Sequence, residues 1–179
     1  MNDKLKKQLE KKIRVIPDFP KKGILFQDIT SITDDQKLFS KVVTKLKEHS
    51  IKNNITKIAG IEARGFIFGS AVAIQSSLPF IPVRKKGKLP GKTYKQKYKL
   101  EYGIDEIEVH RNSANKEDRI LIIDDLIATG GTAIAAANLM KKFNPLEIQF
   151  HFIINLYNLN GMKKLQTRFK STSFLNCLG

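Results

Sequence analysis

The chain has 179 residues, of which 41% are hydrophobic and 27% are charged, a balance typical of one globular domain with a substantial core. No apolar run is long enough to span a membrane, and residues 1–12 lack the apolar core of a secretory signal, so we expect no membrane partner. The single cysteine, Cys177, excludes an intrachain disulfide and fits a reducing cytoplasm.

A formal net charge of +15 raises the question of a nucleic-acid partner. Only 6 of the 32 basic residues are arginine, and the lysines are spread along the whole chain. We interpret them as a solvated surface that attracts polyphosphate ligands, and we predict no nucleic-acid partner. The three histidines, His49, His110 and His151, are far apart and lack the spacing of metal ligands.

The first third of the chain reads as a helix, a loop and a second helix. Apolar residues at helical spacing predict an amphipathic helix over residues 2–13. Residues 16–26 contain two prolines and a glycine, which predict an extended loop. Asp34 or Asp35 is placed to cap the second helix. Its apolar face comprises Leu38, Phe39, Val42, Val43 and Leu46.

Beyond residue 56 the pattern of strands alternating with helices implies a parallel sheet with helices on both faces. Ligands bind beyond the carboxyl ends of the strands in such sheets. Strands are predicted at 57–61, 80–83, 119–124 and 147–156, with an exposed strand at 106–110, and helices at 65–77 and 132–143.

A small-residue stretch lies where the strand at 119–124 gives way to a helix. Glycines allow close backbone approach, and amides at a helix N-terminus favour a phosphate. The stretch lacks the lysine of a Walker A loop and is not a dinucleotide fingerprint. Its residues are Ala128, Thr129, Gly130, Gly131 and Thr132.

Two adjacent carboxylates, Asp124 and Asp125, precede this stretch. Because they would repel a phosphate that touched them, we expect them to accept hydrogen bonds from the hydroxyls of a ribose. Their charge also suits a transition state in which positive charge develops on the anomeric carbon. The alternative is that the pair only caps turns after the strand.

With these residues, the stretch at 122–132 resembles the phosphoribosyl pyrophosphate signature of the type I phosphoribosyltransferases. Residues 18–30, 62–69 and 83–103 resemble the adenine-specific branch of that family, and the resemblance runs in order over nearly the whole chain. It implies a single α/β domain over 1–179, with a mainly parallel twisted sheet flanked by helices, a small base-binding hood, and a mobile lid at about 84–103.

The resemblance implies a purine-salvage enzyme that transfers the 5-phosphoribosyl group from phosphoribosyl pyrophosphate to adenine, giving AMP and pyrophosphate. It also implies a homodimer and a Mg²⁺ cofactor held mainly by the substrate rather than by the protein. Two alternatives stay open. One is a related enzyme for a 6-oxopurine, and the other is a nucleic-acid-binding regulator on the same fold, although 179 residues leave no room for an added DNA-binding helix pair.

The resemblance also assigns roles to residues around the sugar. It implies a non-proline cis peptide at Glu62–Ala63 and places Glu101 with Asp124 and Asp125 as catalytic residues, Glu101 near purine N7, where it helps to move the proton. The other residues implied to bind phosphoribosyl pyrophosphate are Arg64, Arg84, Lys85, Lys88 and Tyr102. Without the resemblance, Arg64 would be interpreted as part of a surface ion pair and the lysines as part of a solvated loop.

The base is expected between two apolar surfaces. Phe26 offers a flat face for stacking, with Leu25 and Gln27 beside it and Leu156 opposite. Phe26 can equally be a core residue. Gln27 stands where the family usually has Arg, and Lys22 stands in place of a common Pro.

Overall fold

The computed structural model describes residues 3–100 and 103–179 and places a central sheet between two layers of helices. The strands are β1 (Arg14–Pro17), β2 (Leu25–Asp28), β3 (Lys57–Ile61), β4 (Phe80–Lys85), β5 (Thr93–Leu100), β6 (Gly103–His110), β7 (Arg119–Ile127), β8 (Glu147–Leu156) and β9 (Lys170–Cys177). The helices are α1 (Asp3–Lys12), α2 (Thr30–Thr33), α3 (Gln36–Lys52), α4 (Arg64–Ser76), α5 (Gly131–Lys141) and α6 (Gly161–Gln166).

The central sheet has seven strands in the order β5-β6-β4-β3-β7-β8-β9. Strands β4, β3, β7, β8 and β9 are parallel, while β6 and β5 extend the β4 edge in antiparallel pairing. Strands β1 and β2 form a separate antiparallel ribbon. The prediction of a mainly parallel α/β sheet is therefore confirmed, and the carboxyl ends of β3, β4 and β7 meet at one edge.

Two hydrophobic cores lie on the two faces of the sheet. Ile120 and Ile122 of β7 belong to the core under α5 and α6, whereas Leu121 and Ile123 belong to the core under α1, α3 and α4. A strand covered on both faces buries every residue, which is why this segment is continuously apolar.

Several predicted elements are confirmed closely. Strands β3 and β8 have the predicted bounds, and α1 lies within the predicted 2–13. Helix α3 begins after Asp35, whose carboxylate accepts a hydrogen bond from the Leu38 amide at 3.0 Å. The side-chain cap and the apolar face together account for the position of this helix.

Strand β7 is longer than predicted, and this changes the position of the carboxylates. It continues past residue 124 to Ile127, pairing Leu126 with Ile154 and Ile127 with Asn155 of β8. Asp124 and Asp125 therefore lie inside the strand, and their predicted place at its end is wrong. The apolar run stops at residue 123, but backbone pairing with β8 does not.

The predicted loop at 16–26 is wrong at both ends, because β1 and β2 pair from Arg14 opposite Asp28 to Pro17 opposite Leu25. Pro17 closes the first strand, where its missing amide is tolerated. The turn between the two strands contains Asp18 at φ +57° and a cis Phe19–Pro20 peptide.

Residues 84–100, most of the segment predicted as a lid, contain the end of β4 and the whole of β5. Strand β5 pairs with β6 over its full length. Tyr94 and Tyr98 pack against one core, and alternate positions hold Lys95 and Lys97. The predicted strand at 106–110 exists, but its expected exposure is wrong because residues 107–109 are buried.

Candidate active site

A cleft of about 260 Å³ lies at the carboxyl ends of β3 and β7. It is lined by residues 61–64 and 124–133, together with Lys85, Tyr98 and Phe152. The first segment joins β3 to α4, and the second joins β7 to α5. The sheet edge predicted to bind ligands is therefore the edge that carries this cleft.

The cleft brings together residues that are far apart in the sequence. Of the predicted site residues, its lining includes Arg64, Lys85, Asp124, Asp125 and the whole stretch 128–132. The remaining described predictions fall outside the lining: Leu25, Phe26, Gln27, Arg84, Lys88 and Leu156. Glu101 and Tyr102 lie outside the described residues.

Arg64, the first residue of α4, forms an ion pair with Asp125 of β7. Its Nε lies 2.9 Å from Asp125 Oδ2. Asp125 is 3% exposed, and within residues 3–100 and 103–179 its Oδ2 accepts no hydrogen bond of good geometry. Burial raises the pKa of Asp125, and the positive charge of Arg64 partly opposes that shift.

Asp124 is held against the start of α4. Its Oδ1 accepts a hydrogen bond from the Asp125 amide at 2.9 Å. A Cβ on Gly65 would lie 2.6 Å from the Ile123 carbonyl oxygen and 3.0 Å from Asp124 Oδ1, so only glycine allows this approach. Burial, followed by the charge of Asp125, raises the pKa of Asp124 well above its ordinary value.

The stretch at 128–132 turns from β7 into α5 through Gly130, which has φ +84°. The turn is supported from behind by Gly161 at the start of α6, whose amide donates to the Ala128 carbonyl at 3.0 Å. A Cβ on Gly161 would lie 2.2 Å from that carbonyl oxygen. Sequence reasoning missed Gly161, although the Asn-Gly pair at 160–161 is a turn signal.

The predicted cis peptide at Glu62–Ala63 is confirmed and follows β3 directly. The Glu62 carboxylate accepts hydrogen bonds from Arg84 Nε at 3.2 Å, from Arg84 Nη2 at 3.3 Å and from the Lys85 amide at 2.9 Å. Arg84 Nη1 also donates to the Lys88 carbonyl at 3.1 Å. The guanidinium of Arg84 thus braces the turn at the cleft.

Sequence reasoning missed the partners of Lys85. Its Nζ forms an ion pair with Asp105 Oδ2, and Tyr98 Oη donates to the same oxygen at 3.1 Å. Tyr98 also lies near the phosphate-type loop, because a Cβ on Gly131 would be 4.0 Å from its ring and 3.3 Å from the Lys99 carbonyl oxygen. Strand β5 therefore lies over the start of α5.

Lys88 contributes its backbone to a turn in the same segment. Its amide donates to Glu108 Oε1 at 3.0 Å, and the Leu89 amide donates to the same oxygen at 3.1 Å. Thr93 Oγ1 donates to Glu108 Oε2 at 3.0 Å. Glu108 is 1% exposed, so this buried carboxylate fixes the turn that precedes β5.

The predicted base-side residues make two kinds of contact. The Arg64 guanidinium carbon is 5.6 Å from the centroid of the Phe26 ring, which links that ring to the cleft. Gln27 is buried and its Nε2 donates to the Leu178 carbonyl at 3.2 Å. Leu156 is buried against Gly179. Two of these residues therefore contact residues 178–179.

Two features are absent from the described part of the chain. In residues 3–100 and 103–179, no helix is long and apolar enough to cross a membrane. The same residues contain no group of three or more His, Cys, Asp or Glu side chains that could hold a metal ion.

Comparisons with known proteins agree with this geometry. Residues 28–176 match the model of the phosphoribosyl transferase domain, so the fold and cleft are those of that class. The chain is 48% identical over 179 residues to an adenine phosphoribosyltransferase of Helicobacter pylori, covering 99% of this chain and 100% of the relative. The chain thus belongs to the adenine phosphoribosyltransferase family.

Solved structures of relatives have the same architecture. The adenine phosphoribosyltransferase of Rhodothermus marinus superposes with a TM-score of 0.90 at 41% identity, covering 98% of this chain and 100% of that one. The Saccharomyces cerevisiae enzyme, solved with an imino-altritol bisphosphate and adenine, has a TM-score of 0.90 at 35% identity, covering 96% and 98%.

Proposed function

We propose that this cleft transfers the 5-phosphoribosyl group from phosphoribosyl pyrophosphate to adenine, giving AMP and pyrophosphate. The observation that carries the proposal is that one cleft brings together an amide loop at a helix N-terminus, two adjacent carboxylates, of which that of Asp125 is buried, and two cationic side chains. Each set fits a different part of the substrate: the 5′-phosphate, the ribose and the pyrophosphate.

The 5′-phosphate is assigned to residues 128–132. Helix α5 begins at Gly131, so its first amides have no partner within the helix and carry partial positive charge. Gly130 has φ +84° and lies close to Gly161, where a Cβ would be 3.1 Å from the Gly161 carbonyl oxygen, and Thr129 is exposed at the turn. These features support an anion site formed by backbone amides rather than by a lysine.

The ribose is assigned to Asp124 and Asp125. Both carboxylates line the same cleft as the loop and precede it by only a few residues, so they would lie near the sugar of a loop-bound phosphate. Departure of pyrophosphate leaves positive charge on the anomeric carbon, and an ionised carboxylate stabilises it. Because burial makes these two carboxylates costly to ionise, a cationic transition state and hydroxyl donors offset that cost.

The pyrophosphate is assigned to Arg64 and Lys85, the cations that line the cleft near the cis peptide. Arg64 offers a planar fork of donors, and Lys85 offers a mobile point charge. Arg84 and Lys88 stay predicted ligands. Arg84 would have to leave Glu62 before it could contact pyrophosphate.

Adenine is assigned to the side of the cleft marked by Phe26, with Leu25, Gln27 and Leu156 as the other predicted contacts. The Arg64 guanidinium touches both the cleft and the Phe26 ring, so base and pyrophosphate would meet at one residue. The yeast relative was solved with adenine, which supports a base site in this fold. Glu101 and Tyr102 stay predicted contributors from the lid.

A Mg²⁺ ion carried by the substrate fits the residues present. The cleft offers two neighbouring carboxylates, one with an oxygen that lacks a well-directed hydrogen bond, but no metal cage among the described residues. Asp124 and Asp125 are the residues that would hold the substrate that carries the ion. When bound, it neutralises charge on the leaving pyrophosphate.

A homodimer in the cytoplasm completes the proposal. Helix α4, which supplies Arg64, presents Ile67 and Ile74 on one outward face, where they are 40% and 82% exposed. Residues seven apart share a helix face, so this apolar stripe suits a second copy of the chain. Light scattering should give twice the monomer mass, and Ile74→Lys should reduce it.

An assay of pyrophosphate release tests the function directly. The protein is mixed with Mg²⁺, phosphoribosyl pyrophosphate and one purine at a time, and adenine should give the highest kcat/KM. A 6-oxopurine reverses the hydrogen-bond pattern at position 6, so the pocket should leave polar groups unpaired with it. Faster turnover of hypoxanthine or guanine would replace the adenine assignment with the 6-oxopurine one.

A further inference from the structure

Three neighbouring strands carry a row of polar side chains beside the cleft. Asp105 of β6 stands directly opposite Tyr98 of β5. On its other side, Lys85 of β4 stands opposite Ile107, two residues along from Asp105 and so on the same face of the sheet. This register explains why Lys85 and Tyr98 both reach Asp105 Oδ2.

The outer members of the row line the cleft, and the middle one does not. The cleft lining includes Lys85 and Tyr98 but not Asp105. The hydrogen bond from Lys85 lowers the pKa of Asp105, and the reciprocal bond raises the pKa of Lys85. Both groups are therefore charged at neutral pH, and Lys85 has an anionic partner inside the protein.

We propose that Asp105 competes with the pyrophosphate group for Lys85. The inference rests on the proposed function, which assigns pyrophosphate to this lysine. When pyrophosphate binds, Lys85 leaves the Asp105 carboxylate and pairs with the more highly charged diphosphate. When pyrophosphate is released, Lys85 pairs with Asp105 again. Asp105 therefore weakens the affinity of the cleft for pyrophosphate and favours departure of the product.

The surroundings of the row permit this exchange. The Lys85 side chain is 45% exposed and flexible, so its ammonium group can move between the two anions. Asp105 does not lose all its partners when Lys85 leaves. Its Oδ1 still accepts from the Glu106 amide at 2.7 Å, and its Oδ2 still accepts from Tyr98. The exchange thus leaves no unpaired carboxylate.

The adjacent residues provide a matched control. Lys86, in the turn that follows β4, and Glu106 of β6 form an ion pair at 3.2 Å. Glu106 follows Asp105 in β6, so its side chain points to the opposite face of the sheet, and neither Lys86 nor Glu106 lines the cleft. Glu106→Gln therefore changes the net charge by the same amount as Asp105→Asn but frees a lysine that cannot reach the cleft.

Titration calorimetry with inorganic pyrophosphate and Mg²⁺ tests the inference. Asp105→Asn keeps an acceptor for Tyr98 but loses the charge, and it should bind pyrophosphate about two- to fivefold more tightly, the scale of a partly exposed ion pair. Asp105→Ala should also bind pyrophosphate more tightly than the parent. Asp105→Glu keeps the charge and should bind it with the affinity of the parent, and the control Glu106→Gln should leave that affinity unchanged. In a Lys85→Gln background, Asp105→Asn should have no effect.

The possible results separate the two proposals. Weaker or unchanged binding by Asp105→Asn would overturn the competition, because the carboxylate would then be positioning Lys85 or be irrelevant to it. Equal tightening in Glu106→Gln, or in the Lys85→Gln background, would reduce the effect to net charge and would also overturn it. If the parent protein binds no pyrophosphate, the proposed pyrophosphate site itself falls, and the competition with it.

Discussion

Arg64 Nε lies 2.9 Å from Asp125 Oδ2, so the residue assigned to pyrophosphate is paired with one assigned to the ribose. The Asp125 side chain is 4% exposed and that of Arg64 is 38% exposed. A buried carboxylate thus depends on a half-exposed cation from another element for its charge compensation. Substrate that contacts Arg64 will also change the electrostatic surroundings of Asp125.

The first prediction is that Asp125→Asn loses activity without losing stability. Hydrogen bonds to charged groups contribute about 1.5–3 kcal/mol, so kcat/KM should fall by at least about tenfold. Because burial raises the pKa of Asp125, its charge is unfavourable in the folded protein, and Asn should leave the melting temperature unchanged or raise it. Pyrophosphate release and thermal unfolding measure the two effects, with the exposed Glu117→Gln as control. Full activity, or a marked drop in melting temperature, would refute the assignment.

The second prediction concerns the pH dependence of stability at Asp124. The folded pKa of Asp124 is raised above its ordinary 3.8, so the folded protein keeps a proton that the unfolded chain has released. The contribution of this group to stability is therefore greatest in acid and is lost as pH rises through the raised pKa. Asp124→Asn should remove that loss.

Melting temperatures of the parent and Asp124→Asn, measured from pH 4 to pH 8, test this sign. The melting temperature of the variant should rise relative to that of the parent as pH increases. This difference in melting temperature should become constant once Asp124 is ionised in the parent. A difference that is constant over the whole range would show that the residue does not titrate there. Glu117→Gln again serves as the control.

The sequence predicts the parts of the site that depend on local pattern. The run at 120–123 marks β7, because a strand covered on both faces must be apolar throughout. The stretch at 128–132 indicates an amide loop, because consecutive small residues before a helix allow close approach of an anion. Neither inference needs a distant partner.

Other features depend on partners that are remote in sequence. Gly161 supports Ala128 from 33 residues away, and Gln27 donates to the Leu178 carbonyl across 151 residues. No local period marks such pairs. Tyr98 is different, since its alternation with Lys95 and Lys97 was a readable strand signal that the abundance of lysine obscured.

The third prediction is that Gly161→Ala damages the phosphate-type loop. A Cβ there would lie 2.2 Å from the Ala128 carbonyl oxygen, so either the loop or the start of α6 must move. Overpacking of this kind costs about 1–3 kcal/mol of stability. The KM for phosphoribosyl pyrophosphate should rise by about tenfold or more, whereas Lys164→Ala, an exposed change in α6, should leave it unchanged. An unaltered KM in a folded Gly161→Ala protein would show that the loop does not need this support.

The fourth prediction concerns His151, a buried histidine outside the cleft, and its partly buried neighbour His49. The rings of His49 on α3 and His151 on β8 are 5.3 Å apart between centroids. Thr172 Oγ1 lies 2.9 Å from His151 Nδ1, and His151 Nε2 has no partner within residues 3–100 and 103–179. Burial, followed by the charge of His49, lowers the pKa of His151 to about 3.

Because the folded pKa is depressed, the unfolded chain binds more protons between pH 6.5 and pH 3. The stabilisation is complete above pH 6.5 and is lost as pH falls through that window, by about 2 kcal/mol at pH 5. His151→Asn keeps an acceptor for Thr172 and cannot titrate, so its free energy of unfolding should fall less steeply between pH 7 and pH 5. Urea unfolding at each pH gives these slopes independently of the absolute stability of each variant, and an unchanged slope for His151→Asn would exclude His151 as a source of acid sensitivity.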